Sequence, residues 1–213
     1  MGQPLRLLLI RHGEVEANVD FRYLGRRDDP LTTRGRAQAE ALARLLAEAP
    51  PARVLSSPLQ RARVTADAIA ERCHVEVESE DRLVEMSFGR WEGMSRTEVL
   101  ESDPANLAAW EADPESVAPP DGESLGDVAI RVTELVDVLR QQPSGGPVAL
   151  VSHVGPLKVL LCAALDLPVS GMRRLFLDPA TVSVVDWGAR PVVRLFNAHC
   201  HLGWTGARWM RSD

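Results

Sequence analysis

Apolar residues along this 213-residue chain fall into two rhythms. Short unbroken runs read as strands buried on both faces. Leu7-Leu8-Leu9-Ile10 is the first, and Val148-Ala149-Leu150-Val151 is its counterpart in the second half. Arg53-Val54-Leu55-Ser56 is a shorter strand, and Val75, Val77 and Val84 suggest further extended chain. Thr181–Trp187 and Val192–Phe196, joined through Gly188-Ala189-Arg190-Pro191, read as a hairpin closing one sheet edge. Between the strands the spacing becomes helical. Ala39, Leu42, Ala43, Leu45 and Leu46 form a stripe on a helix capped by Thr32 or Thr33 and running to about Glu48. Ser57-Pro58 opens a second helix, with serine as the cap and proline at its first position. Residues 124–142 form a long amphipathic helix, and Pro156 begins another over 156–167. Strands alternating with helices predict an α/β fold: a three-layer α/β/α sandwich with a mostly parallel sheet and an antiparallel edge. No linker splits the chain, so residues 1–213 are expected to form one domain. Two short helices around Pro104 would form an inserted cap over residues 95–122.

Both buried runs end alike. The first continues into Arg11-His12-Gly13-Glu14, the second into Ser152-His153-Val154-Gly155. In open α/β sheets ligands bind beyond the carboxyl ends of the strands. A histidine at a strand end is also an ordinary structural residue. Two of them on adjacent parallel strands would place two imidazoles on one rim.

Composition narrows the partners. The net charge of −6, with no long basic run, argues against nucleic acid. A small anion would need local arginines working against that field. The three cysteines, Cys73, Cys162 and Cys200, have no Cys-x-x-Cys spacing, which fits a reducing compartment. No signal peptide or membrane span is visible, and a cytoplasmic protein is expected. Lys158 is the sole lysine among 24 Lys+Arg. Packing or a surface ion pair is the favoured reading for it, with a substrate contact as the alternative. Trp187, Trp204 and Trp209 offer an apolar contact surface for a homodimer. His199-Cys200-His201 puts two histidines on one strand face, but no third ligand is evident, so no metal and no cofactor are expected.

The chemistry rests on the residue types. Arg61 sits in the first turn of its helix, where a cation is electrostatically misplaced unless it shares an anion with the helix end. Arg11 and Arg61 offer bidentate contacts to a tetrahedral dianion. His12 can attack phosphorus and carry the phosphoryl group. His153 can help neutralise the equatorial oxygens. A carboxylic acid must protonate the leaving alkoxide and later take a proton from water. Glu85 suits that role, because a phosphate dianion nearby would keep it protonated, and Glu92 is an alternative. In the polar loop from Val15 to Pro30, Asn18 is the candidate substrate contact, while Arg22, Arg26 and Arg27 read as solvated. Gly155 lies at another helix start that favours anions.

At these residues the chain resembles the histidine phosphatase superfamily, also called phosphoglycerate mutase-like. Arg11-His12-Gly13-Glu14 with Asn18, then Asp29-Pro30-Leu31-Thr32 with Gly35, carry the resemblance. Ser56-Ser57-Pro58-Leu59-Gln60-Arg61-Ala62 and Glu85 with Phe88-Gly89-Arg90-Trp91-Glu92-Gly93 continue it. Gly122-Glu123-Ser124 and Ser152-His153 complete it, from about residue 5 to residue 200. The resemblance implies His12 as the phosphorylated histidine, Arg11, Arg61 and His153 as the phosphate pocket, and Glu85 as proton donor. It also implies Asn18 and the Gly25 region beside the substrate. The segment after Glu85 is similar to the phosphatase branch, which includes α-ribazole phosphatases and broad-specificity acid phosphatases. The expectation is therefore a metal-independent hydrolase of a small-molecule phosphate monoester. The alternative is cofactor-dependent phosphoglycerate mutase-type transfer. That rival is disfavoured on charge: no basic residue lies between Arg96 and Arg131, while Glu98, Glu101, Asp103, Glu111, Asp113 and Glu115 do.

Overall fold

A computed structural model describes residues 4–142 and 145–203. Six strands form one mixed sheet in the order β3-β2-β4-β1-β5-β6. These are β1 (Leu5–Arg11), β2 (Arg53–Ser56), β3 (Val77–Ser79), β4 (Val148–Ser152), β5 (Val182–Trp187) and β6 (Val192–Ala198). The first four run parallel where they pair, and β5 and β6 add the antiparallel edge beside β1.

The two rhythms account for the layers. Alternate residues of a strand face opposite sides. Leu5, Leu7 and Leu9 of β1, with Val148 and Leu150 of β4, pack among the apolar faces of α6 (Leu125–Arg140) and α7 (Val154–Ala164). Leu8, Ile10, Ala149 and Val151 pack on the other side, against α2 (Thr33–Leu46) and α3 (Gln60–Cys73). Both faces of β1 and β4 are therefore covered. A one-residue slip would exchange their side chains between the two cores, so the register is tightly specified. That register sets Arg11 opposite Ser152 and brings the residues after each into line.

The smaller helices are α1 (Glu16–Val19), α4 (Arg96–Ser102) and α5 (Pro104–Ala112). The pair α4–α5 flanks Pro104 as the pattern predicts, with Ser95 and Glu98 forming a capping box at its start. Thr32 caps α2 by accepting from the Gly35 amide.

Several boundaries differ from the sequence expectation. α3 begins at Gln60 rather than Pro58, with Leu59 in the cap position; the Ser57 hydroxyl meets both the Leu59 amide at 3.3 Å and the His153 ring at 2.8 Å. α7 begins at Val154, two residues before Pro156, with His153 as its cap. Val84 follows a 3-10 turn and is not in a strand. β6 ends at Ala198, so His199 and His201 share no strand face; the His201 ring bonds the Ala180 carbonyl at 2.7 Å. Trp187 is buried in the core instead of marking a surface. Trp204 and Trp209 lie outside the described residues. Among the described residues no helix is long and apolar enough to cross a membrane.

Candidate active site

β1 and β4 deliver His12 and His153 side by side, with ring centroids 5.0 Å apart. The His12 amide donates to the Ser152 carbonyl at 3.0 Å, tying the two strand ends together. The chain returning before β5 clamps them from the other side, where the Ala180 amide donates to the carbonyls of Arg11 and His12.

The hydrogen bonds fix the protons on both rings. His12 Nδ1 lies 2.7 Å from the Gly13 carbonyl. A carbonyl only accepts, so Nδ1 carries the hydrogen and Nε2 keeps its lone pair. Arg61 Nε donates to His153 Nδ1 at 3.2 Å, so that nitrogen is unprotonated. The His153 hydrogen is then on Nε2, which donates to Ser57 Oγ at 2.8 Å. Neutral rings are also what the surroundings favour. Burial, then Arg61 and Arg11, holds the His12 imidazole well below its ordinary value. Burial, then Arg61, His12, Arg11 and Arg131, does the same for His153.

Arg61, 1% exposed on the first turn of α3, is held by backbone. Its guanidinium donates to the Gly25 carbonyl at 2.7 Å and the Arg27 carbonyl at 2.6 Å. Gly25 has φ +56°, and a side chain there would run into the Glu92 carboxylate. Arg11 donates to the Leu177 carbonyl at 2.6 Å. Glu85 accepts from the amides of Met86 at 2.8 Å and Gly155 at 3.1 Å. Burial pushes its carboxyl upward, against the pull of those amides and of Arg61 and Arg131. A Cβ on Gly155 would collide with the Glu85 carboxylate, so this approach needs glycine.

Arg11, His12, Arg61, Glu85 and Gly155 line one cavity of about 260 Å³, together with Asn18 and the Gly25 region. His153 is fully buried behind His12 and Arg61 and does not form part of the cavity wall. Glu92 is also off the wall; its carboxylate accepts from the amides of Arg26 and Phe88 and organises the loop. Asn18 accepts from the Val15 amide at 3.2 Å. Arg22 reaches the cavity too but is spent on Glu98 and the Gly93 carbonyl. Arg26 and Arg27 pair with Glu123 and Asp29 away from it.

The far wall was not foreseen. Tyr23, Phe88 and Trp110 meet there in edge-to-face and tilted contacts with centroids 4.8–6.1 Å apart. Lys158 also lines the cavity, against the expectation of packing or a surface ion pair. Val154, Gly155 and Lys158 share one face of α7, since residues four apart on a helix are neighbours. Ser57 and Thr65 were missed as well; Thr65 Oγ1 accepts from the Gly13 amide at 3.1 Å and donates to the Arg61 carbonyl at 2.8 Å.

Comparison with known proteins agrees with this geometry. Residues 7–198 match the model of the histidine phosphatase superfamily (branch 1). The chain belongs to this superfamily. It is 37% identical over 200 residues to phosphoserine phosphatase 1 of Hydrogenobacter thermophilus, covering 93% of this chain and 95% of that one. It is 35% identical over 182 residues to the adenosylcobalamin/alpha-ribazole phosphatase of Salmonella typhimurium, covering 85% and 90%. Some relatives are longer, and the chain spans 54% of those. Among solved structures, a mycobacterial glucosyl-3-phosphoglycerate phosphatase in complex with VO3 superposes with a TM-score of 0.82 at 33% identity, covering 92% of this chain and 100% of that one. These three relatives are phosphatases, and the fold is that of the phosphoglycerate mutase-like enzymes.

Proposed function

We propose that this superfamily member is a metal-independent phosphomonoesterase that works through a phosphohistidine on His12. The observation that carries the reading is the bond from His12 Nδ1 to the Gly13 carbonyl. It leaves Nε2 as a lone-pair nitrogen on a residue that lines the cavity. The Arg11 and Arg61 guanidinium groups match the two charges of a phosphate dianion. His12 Nε2 forms a bond to phosphorus as the ester P–O bond breaks. The departing alkoxide takes a proton from Glu85, whose acid form burial favours. The Glu85 carboxylate then takes a proton from water, whose oxygen attacks the phosphohistidine. Inorganic phosphate leaves, and His12 and Glu85 return to their starting states. His153 positions Arg61 and His12 from behind, through its ring contact and the Nδ1 bond.

Rapid quenching at alkaline pH with a 32P-labelled monoester tests this directly. Label on the wild-type protein that is acid-labile, base-stable and absent from His12→Asn is expected. Release of phosphate in the presence of chelator is expected to match release without it. A turnover that requires added divalent metal, or a wild-type enzyme that never acquires label, overturns the reading. Interconversion of phosphoglycerates without phosphate release would instead favour mutase-type transfer. Within the 95–122 segment the lone basic residue, Arg96, is already paired with Glu111 at 2.7 Å.

A further inference from the structure

The charges lining the cavity do not balance around a phosphate alone. Two guanidinium groups, Arg11 and Arg61, match a dianion. Among the described residues, Glu85 is the one acid on the wall, and its burial favours the neutral form. Lys158 makes no ion pair with it, so its ammonium has no counter-ion in contact. Among the described residues it has no side-chain hydrogen bond and no ion pair. The other cations on this wall are tied down: Arg22 to Glu98 and the Gly93 carbonyl, and Arg173 to the Glu111 carbonyl and the face of Trp110 at 5.7 Å. Desolvating an ammonium without a partner is costly, and a protein rarely keeps one in a binding cavity without a use.

Resting on the phosphatase reading above, we propose that Lys158 forms a second anion subsite, which receives a carboxylate carried by the phosphate ester. A carboxylate supplies the single negative charge that Lys158 lacks. A second phosphate dianion would overfill it, since no other cation on the wall is disengaged among the described residues. The substrate class is accordingly a small phosphomonoester of a hydroxy- or amino-acid.

The cost of the empty subsite is visible in the ammonium itself. Burial, reinforced by Arg11 on β1, lowers its pKa to about 8, while Glu85 from the loop after β3 and Cys162 on α7 pull the other way. A bound carboxylate would hold the proton on Lys158, and selectivity should fade as pH rises through about 8.

Two matched pairs of esters test the subsite. O-Phosphoserine and O-phosphoethanolamine differ only in a carboxylate, as do 3-phosphoglycerate and 2-hydroxyethyl phosphate. Wild type should prefer the carboxylated member of at least one pair by about 10- to 100-fold in kcat/KM, the worth of a charge-assisted hydrogen bond, with the difference in KM. Lys158→Met should bring that ratio close to unity. Lys158→Arg should restore a large part of it and keep it above pH 8, where the wild-type ratio declines. That rescue separates a lost charge from a damaged fold. No preference in either pair overturns the subsite, as does an equal loss on both members in Lys158→Met, which would place the ammonium on the phosphate. If wild type hydrolyses none of the four esters and no other monoester, the phosphatase reading itself fails and takes the subsite with it.

Discussion

The two ends of the cavity are built by different means. At the sheet end, Arg11, His12, Arg61 and Glu85 are each held by backbone: carbonyls of Leu177, Gly13, Gly25 and Arg27, and amides of Met86 and Gly155. Backbone partners cannot rotate away as side chains can, so these groups have little freedom to relax. At the far end, Tyr23, Phe88 and Trp110 rest on one another, and Arg22 and Arg173 rest on exposed or half-buried partners. A fixed end suits charge that develops only in the transition state, and an adaptable end suits the varied body of a substrate. Substitutions at the sheet end should therefore act on kcat, and those at the far end on KM.

The largest expected effect is at His12. On the proposed mechanism, His12→Asn removes the nucleophile and should lower kcat on the order of 10⁴-fold or more, as for nucleophiles in other covalent enzymes. Glu85→Gln comes next, at roughly 10²- to 10⁴-fold. It should cost far more with an alkyl phosphate than with 4-nitrophenyl phosphate, whose leaving group needs no proton. Since the Glu85 carboxyl is raised, the acid form persists above the usual carboxylate range, and kcat on alkyl esters should fall once pH passes the raised value. A Glu85→Gln enzyme with the same loss on both esters would break the comparison, because the carboxylate would then be positioning rather than donating.

How far the sequence alone discloses each end depends on the same difference. Arg11 and His12 are legible because a buried apolar run must stop where the sheet stops, and the polar residues next in the chain sit on its rim; His153 follows β4 in the same way but lies buried behind them. Arg61 is legible as a cation in a helix's first turn. Lys158 is not, because proline at 156 suggests a helix starting there. The real start at Val154 moves Lys158 to the fifth helical position, on the face of Val154. Ser57 is hidden for a related reason: Ser-Pro reads as a cap, and only the tertiary fold brings His153 to its hydroxyl. The aromatic wall is hidden because Phe88 and Trp110 look like any core residues until α5 is laid over the loop carrying Tyr23.

The buried imidazoles also set how stability depends on pH. Both histidines have folded pKa values well below the unfolded one. Their neutral forms are favoured in the folded state, so their contribution is present above about pH 6.5. As pH falls below that, the unfolded chain takes up protons that the folded chain refuses, and stability drops. Each group contributes about 1.4 kcal/mol per pH unit in that window. His201, also held low by burial, adds to it with the same sign. Denaturant melts between pH 7.5 and 5.5 should show the loss, with a shallower slope in His12→Asn. An unchanged slope would mean that the His12 ring is not held neutral, and the rigid end would be less rigid than its hydrogen bonds indicate.

The smallest expected effect lies at Trp110. Its ring meets Tyr23, Phe88 and Trp91 at centroid distances of 5.7–6.1 Å, with Arg173 over its face. Trp110→Leu keeps an apolar side chain but removes these edge contacts, each worth about 0.5–1.5 kcal/mol. The ring lines the cavity at the end away from His12, where the non-reacting part of a substrate would sit, so ground state and transition state should lose it alike. KM should rise roughly 3- to 10-fold, about what that interaction range yields, with kcat within about two-fold of wild type. Steady-state kinetics on an alkyl ester separates the two constants. A fall in kcat comparable to that of Glu85→Gln would show that the aromatic wall aligns the phosphate as well. The division between a fixed end and an adaptable one would then give way to a single coupled pocket, in which α5 and the loop around Tyr23 set the geometry that β1 and β4 present.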